Sequence, residues 1–184
     1  VRKLKKIFLF VVFFLVGTSV CFAKEKSNTE NDEASKQMAS NAKSAIMIEA
    51  STGKILYEKN KNDKLPMASM TKMMTLLLIM EEIDAGRLKW DEMITTSEHE
   101  ASMGGSQIFL EVGEQMSVED LVKGICIASG NDASVAMAER IGGTEEKFVA
   151  LMNQKAETLG LKNTHFENAC GLDSDNHYSS ANDM

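Results

Sequence analysis

The chain has 184 residues, of which 43% are hydrophobic and 26% charged, a composition typical of a globular protein with one domain of ordinary size. Its formal net charge of −7 argues against nucleic acid as a partner. Three cysteines are too few for the dense disulfide framework that staples small secreted domains, so the fold is expected to depend on its hydrophobic core.

The N-terminus has the organisation of a secretory signal peptide. Four basic residues within positions 1–6 precede the unbroken apolar run Ile7–Val16, and mostly small residues then lead to Ala23. We therefore predict export with cleavage of residues 1–23, which leaves a chain with a net charge of −11. The alternative is a membrane-spanning helix, but this needs about 20 apolar residues, and the run is much shorter.

Residues 24–43 are polar and lack an apolar period, which predicts a flexible linker before a folded domain at 44–184. The domain opens with two short β-prone runs, 45–50 and 54–58, on either side of Ser51-Thr52-Gly53. Glycine readily adopts the positive φ of a tight turn, so these runs predict a β-hairpin.

The rest of the chain carries mainly helical signals. Helices are predicted at 69–83, 117–128, 131–141 and from 144 onward, with capping residues Ser117 and Thr144 and stops at Gly86, Gly142-Gly143 and Gly160. The last helix is expected to bury one face, formed by Phe148, Leu151, Met152, Ala156 and Leu159. Methionines in apolar helical faces are expected to fill the core, for example Met73, Met74 and Met80.

Cys126 and Cys170 remain after signal cleavage. The sequence leaves open whether they pair. Cys126 lies in an apolar helical stretch, which favours a buried free thiol.

The sequence predicts too few strands for a complete sheet, because an isolated two-stranded hairpin is only marginally stable in water. At the C-terminal end, residues 179–183 resemble the start of a helix that the chain does not continue. Both features suggest that the sequence is part of a longer protein.

Ser69 and Lys72 form a Ser-x-x-Lys motif at the start of an apolar helix, where a separation of three places both side chains on one face. A serine hydroxyl needs a neighbouring base to become a nucleophile, and a lysine can serve if burial lowers its pKa. The motif alone is weak, since the same pair also fits a capped surface helix.

Ser129-Gly130-Asn131 strengthens the case, because it forms a Ser-x-Asn in a break between two predicted helices. A loop there can present both polar side chains towards Ser69 and Lys72. Ser-x-x-Lys followed by Ser-x-Asn is the order of motifs in penicillin-interacting serine enzymes. The simpler interpretation, a helix stop at Gly130 with Asn131 capping the next helix, is compatible with catalysis.

Several stretches resemble the D-alanyl-D-alanine carboxypeptidase family of low-molecular-weight penicillin-binding proteins. They include 66–72, 104–106, 128–133, 148–160 and 164–179, and the similarity runs from about 45 to 184, which is nearly the whole chain after signal cleavage. The resemblance implies an α/β fold like that of serine β-lactamases and penicillin-binding proteins, with a helical region packed on an antiparallel sheet that is incomplete in this chain.

The resemblance also implies a serine acyl-enzyme mechanism that trims peptidoglycan stem peptides without a cofactor or metal. Ser69 would attack the carbonyl between the last two D-alanines, with Lys72 as general base. Ser129 would relay the proton to the leaving D-alanine, and Asn131 would bind the substrate backbone and help fix Lys72. The partners would be stem peptides and β-lactam antibiotics, outside the cytoplasm, in the cell wall or at the outer face of the cytoplasmic membrane.

The family's third motif, Lys-Thr-Gly, does not occur in this sequence. In the family it follows the part that corresponds to Met184, so we expect it, and any membrane anchor, in a missing C-terminal part. Two alternatives remain open. One is a β-lactamase of the same architecture, for which no deacylating Glu motif is recognisable, and the other is a non-catalytic module that only binds peptidoglycan or a partner.

A metal site is the weakest of the hypotheses. His99-Glu100 begins like a zinc-protease motif, but no second histidine follows at the required spacing. His165, Cys170 and His177 could be imagined as ligands, yet a zinc site needs a fourth group and matched geometry. We therefore interpret these three as polar loop residues.

Overall fold

The computed structural model describes residues 38–184, so the predicted signal peptide and most of the predicted linker lie outside the described residues. The predicted hairpin is confirmed: strand β1, Ala45–Ile48, pairs antiparallel with strand β2, Ile55–Lys59. Gly53 supplies the turn with φ +70°, a left-handed conformation that costs glycine little.

The first long helix is also confirmed, with a different beginning. A 3-10 turn, Ala68–Thr71, precedes helix α1, Lys72–Asp84. Gly86, with φ +71°, ends the segment as predicted. Ser69 therefore lies on the tight turn, and Lys72 is the first residue of the α-helix proper.

A second small sheet was missed at the sequence level. Strand β3, Met93–Thr95, pairs antiparallel with strand β4, Gln115–Ser117. A four-residue helix, α2 (Glu98–Ala101), follows β3 and has a full capping box in which Ser97 and Glu100 bond reciprocally. Strands of three residues are too short to show an alternating pattern, and their pairing joins segments about 20 residues apart.

In the next two helices the predicted Ser117 cap and Gly142-Gly143 stop are confirmed, whereas Asn131 is not a cap, because Gly130 is the N-cap and Asn131 is the first helical residue. Ser117 accepts the Asp120 N–H and opens helix α3, Val118–Lys123, which continues as a π-helical turn at Gly124–Ala128. Helix α4, Asn131–Gly142, ends at Gly143 with φ +80°. The break between them falls at Ser129 and Gly130, as the sequence predicted.

Helix α5, Glu145–Thr158, is capped by Thr144 as predicted, but the prediction of its buried face is only partly correct. Phe148, Met152 and Ala156 are at most 2% exposed, whereas Leu151 and Leu159 are 38% and 53% exposed. Leu151 lies at the flank of the buried stripe, and Leu159 lies past the last helical residue, so the predicted face was too wide.

Helix α4 is the central helix of the described region. Its residues 131–138 are all buried, and they contribute to both main apolar clusters. One cluster joins α4 to α1 and α3, with Ile79, Leu121 and Met137 fully buried, and the other joins it to α5 through Phe148. Gly142 permits this last contact, because a Cβ there would lie 2.6 Å from the Phe148 backbone nitrogen.

Two further predictions of burial were wrong. Met73 is 57% exposed beside Met70 and Leu77, on a face of α1 that no element within residues 38–184 covers, whereas Met74 is buried as expected. Cys126 is exposed, since it lies on the outer side of the π-helical turn, and Cys170 is buried; both are free thiols.

Candidate active site

Three of the four predicted site residues, Ser69, Lys72 and Asn131, come together where the turn before α1 meets the break before α4, and Ser129 lies in that break two residues before Asn131. Lys72 is 4% exposed, and its Nζ donates to Asn131 Oδ1 and to the Cys170 carbonyl oxygen, both at 2.7 Å. Ser69 is exposed, with its Oγ 3.4 Å from Lys72 Nζ. A buried amine thus stands directly behind an accessible hydroxyl.

The Lys72 amine is held in surroundings that favour its neutral form. Burial lowers its pKa below the usual value, and the Cys170 and Asp132 side chains act in the opposite direction. Because both neighbours that take short hydrogen bonds from Nζ are neutral carbonyl oxygens, neither forms an ion pair with it. A lysine in this state is suited to accept a proton.

Ser129 and Asn131 are placed by the break between the helices. Ser129 follows the π-helical turn in a left-handed conformation, φ +57°, which is uncommon for a residue with a side chain. Such backbone strain is often found at functional sites. Asn131 begins α4 and directs its side-chain oxygen at Lys72.

The loop at 104–106 fixes Asn131 from the other side. Gly104 O accepts from Asn131 Nδ2 at 2.7 Å, and Ser106 O accepts from its backbone N–H at 2.7 Å. Gly105 has φ +81°, and a Cβ there would lie 2.7 Å from Asn131 Nδ2. A glycine is therefore required at this position for both steric and conformational reasons.

Asp132 holds the following part of the same loop. Its carboxylate is 1% exposed and accepts the backbone N–H groups of Ile108, Leu110 and Ala133. Hydrogen bonds to an ionised group are stronger than neutral ones, so this residue fixes the loop to the start of α4. Asp132 lies within one of the similar stretches, but its role was not recognised from the sequence.

A second contributor that sequence reasoning missed is the loop 168–172. Asn168 Oδ1 accepts the backbone N–H groups of Cys170, Gly171 and Leu172, which shapes the loop so that the Cys170 carbonyl meets Lys72. Gly171 has φ +97°, and a Cβ there would lie 2.0 Å from the Ala68 carbonyl oxygen. The loop thus packs directly on the residue before Ser69.

The residues considered as metal ligands have other partners. His99 bonds to Glu145, His165 Nδ1 lies 2.7 Å from the Asn176 carbonyl oxygen, and His177 contacts Thr71. Within residues 38–184 no group of three or more histidine, cysteine or acidic side chains could hold a metal ion. None of the helices in that region is long and apolar enough to cross a membrane.

Comparison with known proteins identifies the family. The family model described as D-alanyl-D-alanine carboxypeptidase, peptidase family S11, matches residues 29–184. The chain belongs to this family. The DacF carboxypeptidase of Bacillus subtilis (strain 168) is 54% identical over 183 residues, covering 100% of this chain and 46% of that protein. DacA of Escherichia coli (strain K12) is 43% identical over 149 residues, covering 78% of this chain and 37% of that protein.

Solved structures of a carboxypeptidase and of a penicillin-binding protein agree with the family assignment. DacD from Francisella tularensis aligns with a TM-score of 0.76 and 45% identity, over 78% of this chain and 35% of that one. Penicillin-binding protein D2 from Listeria monocytogenes, in its ampicillin-bound form, aligns with a TM-score of 0.68 and 31% identity, over 77% of this chain and 57% of that one. These neighbours confirm the predicted α/β penicillin-binding-protein fold, and the chain spans less than half the length of the curated relatives named here.

Proposed function

We propose that this chain carries the nucleophile and the base of a serine D-Ala-D-Ala carboxypeptidase, which removes the terminal D-alanine from peptidoglycan stem peptides through an acyl-enzyme. The observation that carries the proposal is the buried Lys72 amine, 3.4 Å from the exposed Ser69 hydroxyl and 2.7 Å from two carbonyl oxygens. The names of the family and of its relatives supply the substrate class.

The hydrogen-bond geometry supports Lys72 as general base. A neutral amine has two hydrogens and one lone pair, and the two short bonds to Asn131 and Cys170 account for both hydrogens. In the neutral amine, the form that burial favours, the lone pair would then face the third neighbour, Ser69 Oγ, at 3.4 Å. Lys72 would take the Ser69 proton as the oxygen attacks the carbonyl carbon between the two D-alanines.

Ser129 would then pass a proton to the nitrogen of the leaving D-alanine, and water would release the shortened peptide. Its partly buried position at the helix break is compatible with that role. Asn131 has a double role in the proposal. Its oxygen fixes Lys72, and its Nδ2, which gives one hydrogen to Gly104 O, has a second hydrogen for the substrate backbone.

The same site is proposed to bind β-lactams, which would acylate Ser69 and leave slowly. Support comes from the Listeria relative, whose structures were solved in ampicillin-bound and cefotaxime-bound forms. The signal-peptide pattern of residues 1–23 supports action outside the cytoplasm, on the cell wall or at the outer face of the cytoplasmic membrane. An anchor that would hold the protein at the membrane is likewise part of the proposal.

Release of D-alanine from a peptide ending in D-Ala-D-Ala tests this function. The protein expressed from its complete reading frame is compared with Ser69→Ala and Lys72→Met, each of which should lower kcat/KM by at least about 1,000-fold. Ser51→Ala in the hairpin turn and Lys123→Met on the exposed side of α3 are matched controls and should leave it unchanged. Unchanged turnover in Ser69→Ala would overturn Ser69 as the nucleophile, and no turnover in the wild-type protein would overturn the proposal and favour a binding module.

A further inference from the structure

One buried histidine contacts the active-site turn without belonging to the proposed catalytic group. His177 is 4% exposed, and its Nε2 lies 2.7 Å from the hydroxyl of Thr71, the residue between Met70 and Lys72 in the turn. The other ring nitrogen, Nδ1, lies 3.0 Å from the backbone nitrogen of Glu167. The Phe166 ring packs edge-on against the imidazole with ring centroids 5.9 Å apart.

The Glu167 contact decides the tautomer. A backbone N–H can only donate, so Nδ1 of His177 must accept and carries no proton. The ring proton is therefore on Nε2, which donates to Thr71 Oγ1. Burial lowers the pKa of the His177 ring, and the Glu167 and Asp173 carboxylates oppose this change only in part, so the ring is neutral at neutral pH.

We propose that His177 is a positioning residue, whose neutral ring ties the Ser69–Lys72 turn to the 165–178 segment by donating from Nε2 to Thr71. The inference builds on the function proposed above. Thr71 itself is fully buried, so its hydroxyl has a defined place in this contact.

A second contact between the start of α1 and the 165–178 segment strengthens this inference. One helical turn later, Thr75 Oγ1 donates to the Ala169 carbonyl oxygen at 2.7 Å. Between these two contacts lies Lys72, whose Nζ bonds to the next carbonyl, that of Cys170. Without the His177 contact, the turn has one fewer constraint on the 3.4 Å separation of Ser69 Oγ and Lys72 Nζ. Misplacement by about 1 Å can cost a reaction about 100-fold in rate.

Two amide variants of His177 test the contacts of its two ring nitrogens separately. In His177→Asn, the side-chain oxygen can replace Nδ1 and accept from Glu167, but it cannot reach Thr71. In His177→Gln, the side-chain nitrogen can replace Nε2 and donate to Thr71. The assay is the second-order rate constant for acylation of Ser69 by a fluorescent penicillin, in the protein from its complete reading frame, with the melting temperature measured alongside.

We expect His177→Asn to lower the acylation rate constant by about 10- to 100-fold and His177→Gln to stay within about threefold of wild type. Thr71→Val should reproduce the loss, and Thr71→Ser should retain most of the rate. The double variant Thr71→Val with His177→Asn should be no slower than the worse single variant, because both remove one contact.

Several results would overturn the positioning role. One is an acylation rate constant in His177→Asn equal to that of wild type. Another is an equal loss of rate in the Asn and Gln variants that parallels the fall in their melting temperatures. The third is a double variant in which the rate losses of the two single variants multiply. Nitrogen chemical shifts of the His177 ring report the tautomer without any turnover. If wild type is not acylated at Ser69, the proposed function fails and the positioning role with it, while a protonated Nε2 would still verify the contact itself.

Discussion

Replacing Glu100 by glutamine tests the electrostatic reasoning at a site remote from the catalytic group. Glu100 is 2% exposed, and its carboxylate accepts the Ser97 N–H at 3.1 Å. Its pKa is raised to about 7, chiefly by burial, with a hydrogen bond and negative charge from Glu139 of α4 adding to the rise and the Ser97 N–H opposing it. The protonated carboxyl can donate to Glu139, and the amide introduced by Glu100→Gln retains that ability.

The magnitude follows from the raised pKa. Between 4.5 and about 7 the folded protein holds a proton that the unfolded chain releases, so stability falls as pH rises through this window and is constant above it. At about 1.4 kcal/mol per pKa unit, the full effect is roughly 3 kcal/mol. Because part of the rise comes from the interaction with Glu139, we expect a smaller effect: the stability of Glu100→Gln relative to wild type should increase by about 2 kcal/mol between pH 5 and pH 8.

Urea unfolding followed by circular dichroism at both pH values measures this difference in the protein from its complete reading frame. Glu98→Gln is the matched control, since Glu98 lies on the same short helix and is exposed. It should show no pH-dependent difference from wild type. A stability difference for Glu100→Gln that is the same at pH 5 and pH 8 would refute the reasoning.

Three further predictions concern Gly171, Asp132 and the two free thiols. Gly171→Ala should lower acylation of Ser69 by at least about 10-fold in a fluorescent-penicillin assay, because its Cβ would meet the Ala68 carbonyl oxygen. Asp132→Asn should lower the free energy of unfolding by about 2–3 kcal/mol in urea titrations, since a neutral amide is a weaker acceptor for the loop N–H groups. A thiol reagent at neutral pH should modify exposed Cys126 and spare Cys170, whose pKa is raised by burial, as read by peptide mass spectrometry.

Each of these has an internal control. Gly160→Ala introduces a side chain at a similar φ, +74°, but into open space, so any larger effect of Gly171→Ala reports the clash. Asp120→Asn changes an exposed carboxylate of α3 and should leave the free energy of unfolding nearly unchanged. Modification of Cys170 at the same rate as Cys126 in the folded protein would contradict its burial.

Local chemistry explains which elements could be predicted from the sequence. The hairpin turn at Gly53 and the Thr144 cap are set by one or two residues each, and both are confirmed. The β3–β4 pair was missed because each strand has only three residues and its partner is distant in sequence. Met73 was assigned to the core because apolar spacing does not reveal which side of a helix its neighbours cover.

The candidate site, too, could be predicted only in part. The two motifs predicted that Ser69, Lys72 and Asn131 would meet, and their side chains do so. Their catalytic roles remain predictions. The Cys170 carbonyl that completes the surroundings of Lys72 could not be foreseen, since a backbone oxygen has no sequence signature and its position depends on the folded 168–172 loop. The Asn168 side chain and Gly171, with its positive φ, give local reasons for that loop's shape.

The most direct measurement is mass spectrometry of the protein after exposure to a penicillin, on this chain and on the product of the complete reading frame, each with a Ser69→Ala control. The complete product should gain the mass of one β-lactam, peptide mapping should locate it on Ser69, and Ser69→Ala should gain none. A complete product that remains unmodified, or an adduct on another residue, would contradict the account.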